Sequence, residues 1–202
     1  MKKEGKRPSG GRVVLFYKPY GVLSQFTSSD GHPALSGFGL PKGVYPAGRL
    51  DLDSEGLLLL TDDGQFQRRL TDPRFEHPRA YWVQVENIPS EESLKRLASG
   101  VLLQDGMTKP AVVRAISDPA LPPRNPPIRF RRNIPTSWIE IVLKEGRNHQ
   151  VRRMTASVGH PTLRLMRVRI GNYSLTGLLP GQWKFAKIEL YDSPKERNSS
   201  PH

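Results

Sequence analysis

Between residues 48 and 64 the chain reads GRLDLDSEGLLLLTDDG, which brings Asp51, Asp53, Glu55 and Asp62 close together. Acids at loop positions 1, 3, 5 and 12, with Gly56 at position 6, follow the register of a calcium-binding EF-hand loop. A solvated acidic turn, or a loop that presents one carboxylate to a substrate, would read the same way. An EF-hand loop needs a helix on each side, and Pro46 and Gly48 oppose one in the preceding GVYPAGRL. Its positions 7 to 10 would be Leu57 to Leu60, and Asp62 would stand where a bidentate Glu belongs. No metal is expected. Asp53 and Glu55, and Asp62 and Asp63 before Gly64, read as turn and cap residues.

Asp51 stands apart. It follows Arg49 by two residues, so alternation in an extended segment puts both side chains on one side. A nearby arginine favours the ionised carboxylate. The leucine run behind Asp51 would anchor it. A charged carboxylate on a rigid strand edge is a candidate nucleophile or base.

The elements that must position it are mostly strands. VVLFYK (13–18), GLLLL (56–60), AYWVQVE (80–86), SWIEIVLKEG (137–146), TLRLMRVRI (162–170) and WKFAKIEL (183–190) carry β-forming or short apolar runs. Two helices are expected. One follows Ser90 as N-cap, with Glu91 and Glu92 in its first turn and Gly100 at its end. The other runs from Asn148 as N-cap to Gly159, with His149 as an ordinary first-turn residue. Asp105-Gly106 between apolar runs signals a hairpin. SDPALPPRNPP (117–127) has five prolines in eleven residues and reads as a loop or extended segment. Strands outnumber helices and several pair locally, so the fold class is α+β. A single domain is built on a largely antiparallel or mixed central sheet flanked by helices and loops. Residues 1–11 read as a disordered basic tail and 193–202 as a C-terminal tail, leaving 12–192 as the domain.

Composition narrows the partner. The chain has 202 residues, a net charge of +12 and no cysteine, which excludes disulfides and thiolate metal sites. No apolar run approaches a membrane span. Arg124 to Arg169 holds eleven Lys and Arg against Glu140 and Glu145. The excess is mostly arginine, which binds phosphate bidentately and stacks on bases. A nucleic-acid partner is therefore expected; charge alone does not separate RNA from DNA.

Three blocks carry a family resemblance. GRLDLDSEGLLLLTDDG resembles the catalytic-aspartate motif of pseudouridine synthases. KEGRNHQVRRM (144–154) with VGHPTLRLMRVRIG (158–171) is similar to the family's second signature, and LFYKPYGVLSQF (15–26) to its opening segment. The branch is the one named for the small-subunit rRNA synthase, and PRNPPIRFRRNIPTSWIEI resembles members that act on large-subunit rRNA. The resemblance implies isomerisation of uridine in ribosomal RNA, in 23S rRNA, on a flipped-out nucleotide. It implies no cofactor, a cytoplasmic monomer, and no membrane partner; the small N-terminal S4-type domain of other members is not expected. Asp51 takes the place of the catalytic aspartate, which attacks C1′, adds to C6 or removes the C2′ proton. Tyr81 takes that of the active-site tyrosine. Arg152, or else Arg147, takes that of the basic residue paired with the aspartate. Arg49 beside Asp51 is placed to support the extruded base or touch phosphate. Lys18, Arg131, Arg132, Arg147, Arg153, Arg164 and Arg167 are expected RNA contacts. The alternative is a non-catalytic ribosome-associated RNA-binding protein, which gives Asp51 no purpose.

Overall fold

The computed structural model describes residues 11–128, 131–189 and 191; apart from Gly11, the expected tails lie outside them. The four leucines decide the centre of the fold. Leu57, Leu58, Leu59 and Leu60 are all fully buried in β3 (Glu55–Thr61). A strand covered on both faces needs no polar alternation, which explains the unbroken apolar run. It also removes the EF-hand reading, because the residues that would form the second half of the loop are a core strand.

β1 (Val13–Lys18) pairs antiparallel with β3 along its whole length, Val13 opposite Thr61 and Lys18 opposite Gly56. β3 then pairs parallel with β9 (Thr162–Ile170) at Glu55 and Gly56 alone. β4 (Arg79–Glu86) lies antiparallel between β9 and β8 (Thr136–Leu143). β7 (Val112–Ile116) and β11 (Trp183–Ala186) close the two edges, so the mixed sheet runs β11-β1-β3-β9-β4-β8-β7. The short β2 (Tyr45–Pro46) and β10 (Tyr173–Ser174) pair with β3 and β9. The expected α+β fold on a mixed sheet is what forms.

Among the described residues three α-helices cover the sheet. α1 (Gly64–Thr71) was not legible in the sequence, although its cap was: the Asp63 carboxylate accepts from the amides of Gln65 and Phe66. α2 (Glu91–Ser99) starts at Ser90, whose side chain accepts from the Ser93 amide. α3 (Gln150–Ser157) starts one residue later than expected, on His149 and not Asn148. Leu97, Val151, Met154 and Leu165 join the inward residues of β4 and β8 in one core. Phe66 and Leu70 of α1 pack with Leu57 and Leu59 in a second core, and Leu58 and Leu60 face a third. Burying each such side chain contributes about 1.5–3 kcal/mol. The expected Asp105-Gly106 hairpin is present as β5 (Leu102–Leu103) and β6 (Gly106–Met107).

Candidate active site

Asp51 sits in a tight turn immediately before β3. The Ser54 amide donates to the Asp51 carbonyl at 3.1 Å, and the Gly21 amide donates to the Leu52 carbonyl at 2.8 Å. Ser24 brackets Leu50, donating from Oγ to its carbonyl at 2.7 Å and accepting from its amide at 3.1 Å. The turn is therefore held from the segment after β1 as well as by β3 itself.

Where β3 meets β9, Gly56 has φ +107, and a Cβ there would overlap the carbonyl oxygen of Arg167 and stand 2.8 Å from its amide nitrogen. Glycine lets the two backbones touch. Arg167 reaches back from this contact, donating from Nε to the Leu57 carbonyl at 2.9 Å and from Nη1 to the Arg49 carbonyl at 3.3 Å. On its other side Arg167 is the Cα partner of Tyr81, while the preceding pair is Ala80 with Arg169. That skip is a β-bulge at Val168, which re-aims the side chains around it. Arg167 is buried, and its Nη2 has no hydrogen-bond partner. Burial pushes its pKa down, while Tyr81 and then Asp51 favour its charged form; a guanidinium remains protonated regardless.

Asp51, Tyr81 and Arg167 line a cleft of about 770 Å³ whose far wall is the segment from Glu145 to Val151. That segment is braced by buried Gln150, which donates to Glu145 Oε1 at 2.6 Å and accepts from the Arg147 amide at 3.0 Å. His149 projects from it, its Nδ1 3.5 Å from Asp51 Oδ2. Asp51, Asp53 and His149 bring one donor atom each within 4.8 Å of one another. Arg152 on Asp53 and Arg167 below Asp51 bring positive charge to this group, which disfavours a cation there.

The sequence-based assignments fare unevenly. Asp51 and Tyr81 do share the cleft, and Arg49 is exposed on its rim. Neither candidate arginine pairs with Asp51. Arg152 lies on Asp53, Nε to Oδ2 3.1 Å. Arg147 donates to the carbonyls of Gly106 and Met107 at 3.1 and 2.6 Å and pairs with Glu145 at 3.3 Å. Asp53 is thus more than a turn residue. Glu55 is no turn residue at all: it forms a buried bidentate pair with Arg164 at 2.7 and 2.8 Å.

Three expected RNA contacts are corrected by burial. Lys18 is fully buried and donates to the carbonyls of Pro19 and Val22 at 3.0 and 2.7 Å. Arg164 is consumed by Glu55 and the Pro122 carbonyl, and Arg167 by backbone carbonyls. Arg153 makes a bidentate pair with Asp105 at 2.9 and 3.0 Å. Arg131 and Arg132 are exposed and line a different groove, with Arg131 3.2 Å from Glu86. The residues missed by sequence reading are Arg167 as a cleft residue and His149. Strand alternation fails for the first because the bulge breaks it, and no local signal marks the second.

Comparison with known proteins places the chain in a family. A family model described as RNA pseudouridylate synthase matches residues 12–157. The chain is 59% identical over 175 residues to the ribosomal large subunit pseudouridine synthase E of Xanthomonas campestris pv. campestris, covering 85% of this chain and 94% of that one. It is 55% identical over 173 residues to the protein of the same name from Vibrio parahaemolyticus serotype O3:K6, covering 86% of this chain and 73% of that one. A crystal structure of a pseudouridylate synthase superposes with a TM-score of 0.72 at 30% identity, over 88% of this chain and 71% of that one.

Proposed function

The chain belongs to the RNA pseudouridylate synthase family, and on that premise we propose that it isomerises uridine to pseudouridine in 23S ribosomal RNA with Asp51 as the reacting carboxylate. Support for the substrate comes from the relatives, named for the ribosomal large subunit. Among the described residues no helix is long and apolar enough to cross a membrane, and we take the working form to be a cytoplasmic monomer built from residues 12–192.

The observation that carries the site assignment is the meeting of Asp51, Tyr81 and Arg167 at one cleft, on the turn before β3 and on two adjacent central strands. Isomerisation breaks the N1–C1′ bond, turns the uracil while it is held, and joins C5 to C1′. The C5 proton is lost and N1 gains one, so nothing need enter or leave. The uridine has to leave its stack to reach the cleft, at a cost of a few kcal/mol in a duplex. Asp51 then acts as an ionised carboxylate at C1′, at C6 or on the C2′ proton; all three require its charge. Tyr81 offers a ring for stacking on the uracil. Arg167 holds the carbonyls on either side of the turn and keeps one buried N–H free for Asp51. Arg152 positions the turn through Asp53. Arg49 on the rim is placed to occupy the space left by the extruded base.

The test is pseudouridine mapping on 23S rRNA with wild type and Asp51→Asn. The variant keeps shape and loses the charge, so product should vanish with RNA affinity little changed. Near-wild-type turnover would refute the assignment. RNA binding without pseudouridine formation by the wild type would favour a non-catalytic RNA-binding protein.

A further inference from the structure

Four arginines line the cleft: Arg49, Arg79, Arg147 and Arg167. Two are spent on backbone carbonyls, Arg147 on the β5–β6 hairpin and Arg167 on Leu57 and Arg49. Arg49 is exposed on the rim. Arg79 is different. It opens β4, two residues before Tyr81. The register of β4 with β8 is unbroken here, with Arg79 opposite Leu143 and Tyr81 opposite Ile141. Residues two apart on such a strand share a face, so Arg79 projects on the side of the sheet that carries Tyr81. Its neighbour on β9, Ile170, lines the same cleft.

The guanidinium of Arg79 is held but not used up. It donates from Nη2 to the Leu70 carbonyl at 3.3 Å, in the last turn of α1, where the helix dipole favours a cation. A Cβ added at Gly146, on the far wall, would stand 4.0 Å from Nη1, so the guanidinium reaches from β4 to that wall. Among the described residues the bond to Leu70 is its one hydrogen bond, and no carboxylate pairs with it. A guanidinium has five N–H donors, so most of them are available. The neighbouring acids are engaged elsewhere: Asp53 by Arg152, and Glu145 by Arg147 and Gln150. Arg79 also opposes the charged form of Arg167, and an anion brought into the cleft offsets that repulsion.

A uridine drawn into the cleft brings such an anion with it. Its ribose carries a phosphate on each side, and reaction at C1′, at C6 or on the C2′ proton sets that ribose beside Asp51. We propose that Arg79 binds one of the two phosphates flanking the target uridine and so fixes the ribose against Asp51. This rests on the reading that Asp51 reacts with a uridine in this cleft. The planar fork of an arginine meets two phosphate oxygens at once, and the neutral uracil offers no charge for it to pair with.

The test uses a synthetic rRNA fragment carrying the target uridine, with an ordinary phosphate or a neutral methylphosphonate on its 5′ or its 3′ side. The second-order rate constant of single-turnover pseudouridine formation is measured for wild type, Arg79→Gln and Arg79→Lys. On the ordinary RNA, Arg79→Gln should lose about tenfold or more. Arg79→Lys keeps the charge without the fork and should lose less. One of the two methylphosphonates should cost the wild type about tenfold and cost Arg79→Gln less than about threefold, because the contact is already gone. A wild type indifferent to both neutral linkages would overturn the proposal, and that measurement needs no variant to fold. An Arg79→Gln variant at the wild-type rate on ordinary RNA, or one that loses as much as the wild type at each linkage, would overturn it too. A wild type that makes no pseudouridine, or an active Asp51→Asn, would remove the reading of the site and this proposal with it. With wild type active and Asp51→Asn inactive, the outcomes above remove this proposal alone.

Discussion

Arg152 grips Asp53 twice. Its Nε lies 3.1 Å from the carboxylate and its Nη2 donates to the backbone carbonyl of the same residue at 2.7 Å. The contact joins α3 to the turn that carries Asp51, across 99 residues of chain. The arginine of the second signature thus reaches the first through the neighbour of the expected partner.

Arg152→Met and Asp53→Asn should each slow single-turnover pseudouridine formation by about tenfold, equivalent to about 1.4 kcal/mol, with RNA affinity changed less. Combining them should cost little more than either alone, because both remove one interaction. Fully additive effects in a double-mutant cycle would show that the two side chains act separately. Arg152→Lys should rescue only in part, since an ammonium lacks the planar fork.

Gly56→Ala tests the β3–β9 contact. The methyl would drive into the Arg167 backbone at a φ of +107, so the variant should lose at least about 2 kcal/mol of stability from strain and displacement. Urea unfolding followed by circular dichroism measures it. An unchanged midpoint would mean the strands separate at no cost.

Lys18 gives a pH signature in stability. Burial pushes its pKa down from the ordinary 10.5 to about 7, against the pull of Glu55, Asp53 and Asp51. Folding therefore lowers its proton affinity, and the unfolded chain binds more protons between those two values. The contribution is fully present above 10.5 and is lost as pH falls to about 7. Comparing wild type with Lys18→Met, the wild type should gain about 2 kcal/mol relative to the variant between pH 7 and 9. Urea midpoints that move in parallel with pH would contradict this.

Arg131 and Arg132 test the RNA face. Replacing both with alanine should weaken rRNA binding and flatten its salt dependence, by about 0.7 in log–log slope for each phosphate contact removed from single-stranded RNA. Arg131 already faces Glu86, so Arg132 should account for most of the change. Chemistry at saturating rRNA should survive. Filter binding from low to physiological salt measures the slope.

The sequence by itself determined what is local or periodic. An unbroken leucine run between turn residues meant a core strand, Ser90 marked a helix start, and Asp105-Gly106 marked a hairpin. The block around Asp51, the opening segment 15–26 and the second signature determined the family, and the arginine-rich segment determined the class of partner. Tertiary structure decided the partner of each charge. Seven arginine and lysine positions looked alike in the sequence, yet Lys18, Arg164 and Arg167 are buried, Arg147 and Arg153 hold a hairpin, and Arg131 and Arg132 remain exposed. Pairing depends on which strands become neighbours over a hundred or more residues, as for Arg164 with Glu55 and Arg167 with Leu57. A bulge then shifts the facing of β9 by one residue, and strand alternation beyond it can no longer be read from the sequence.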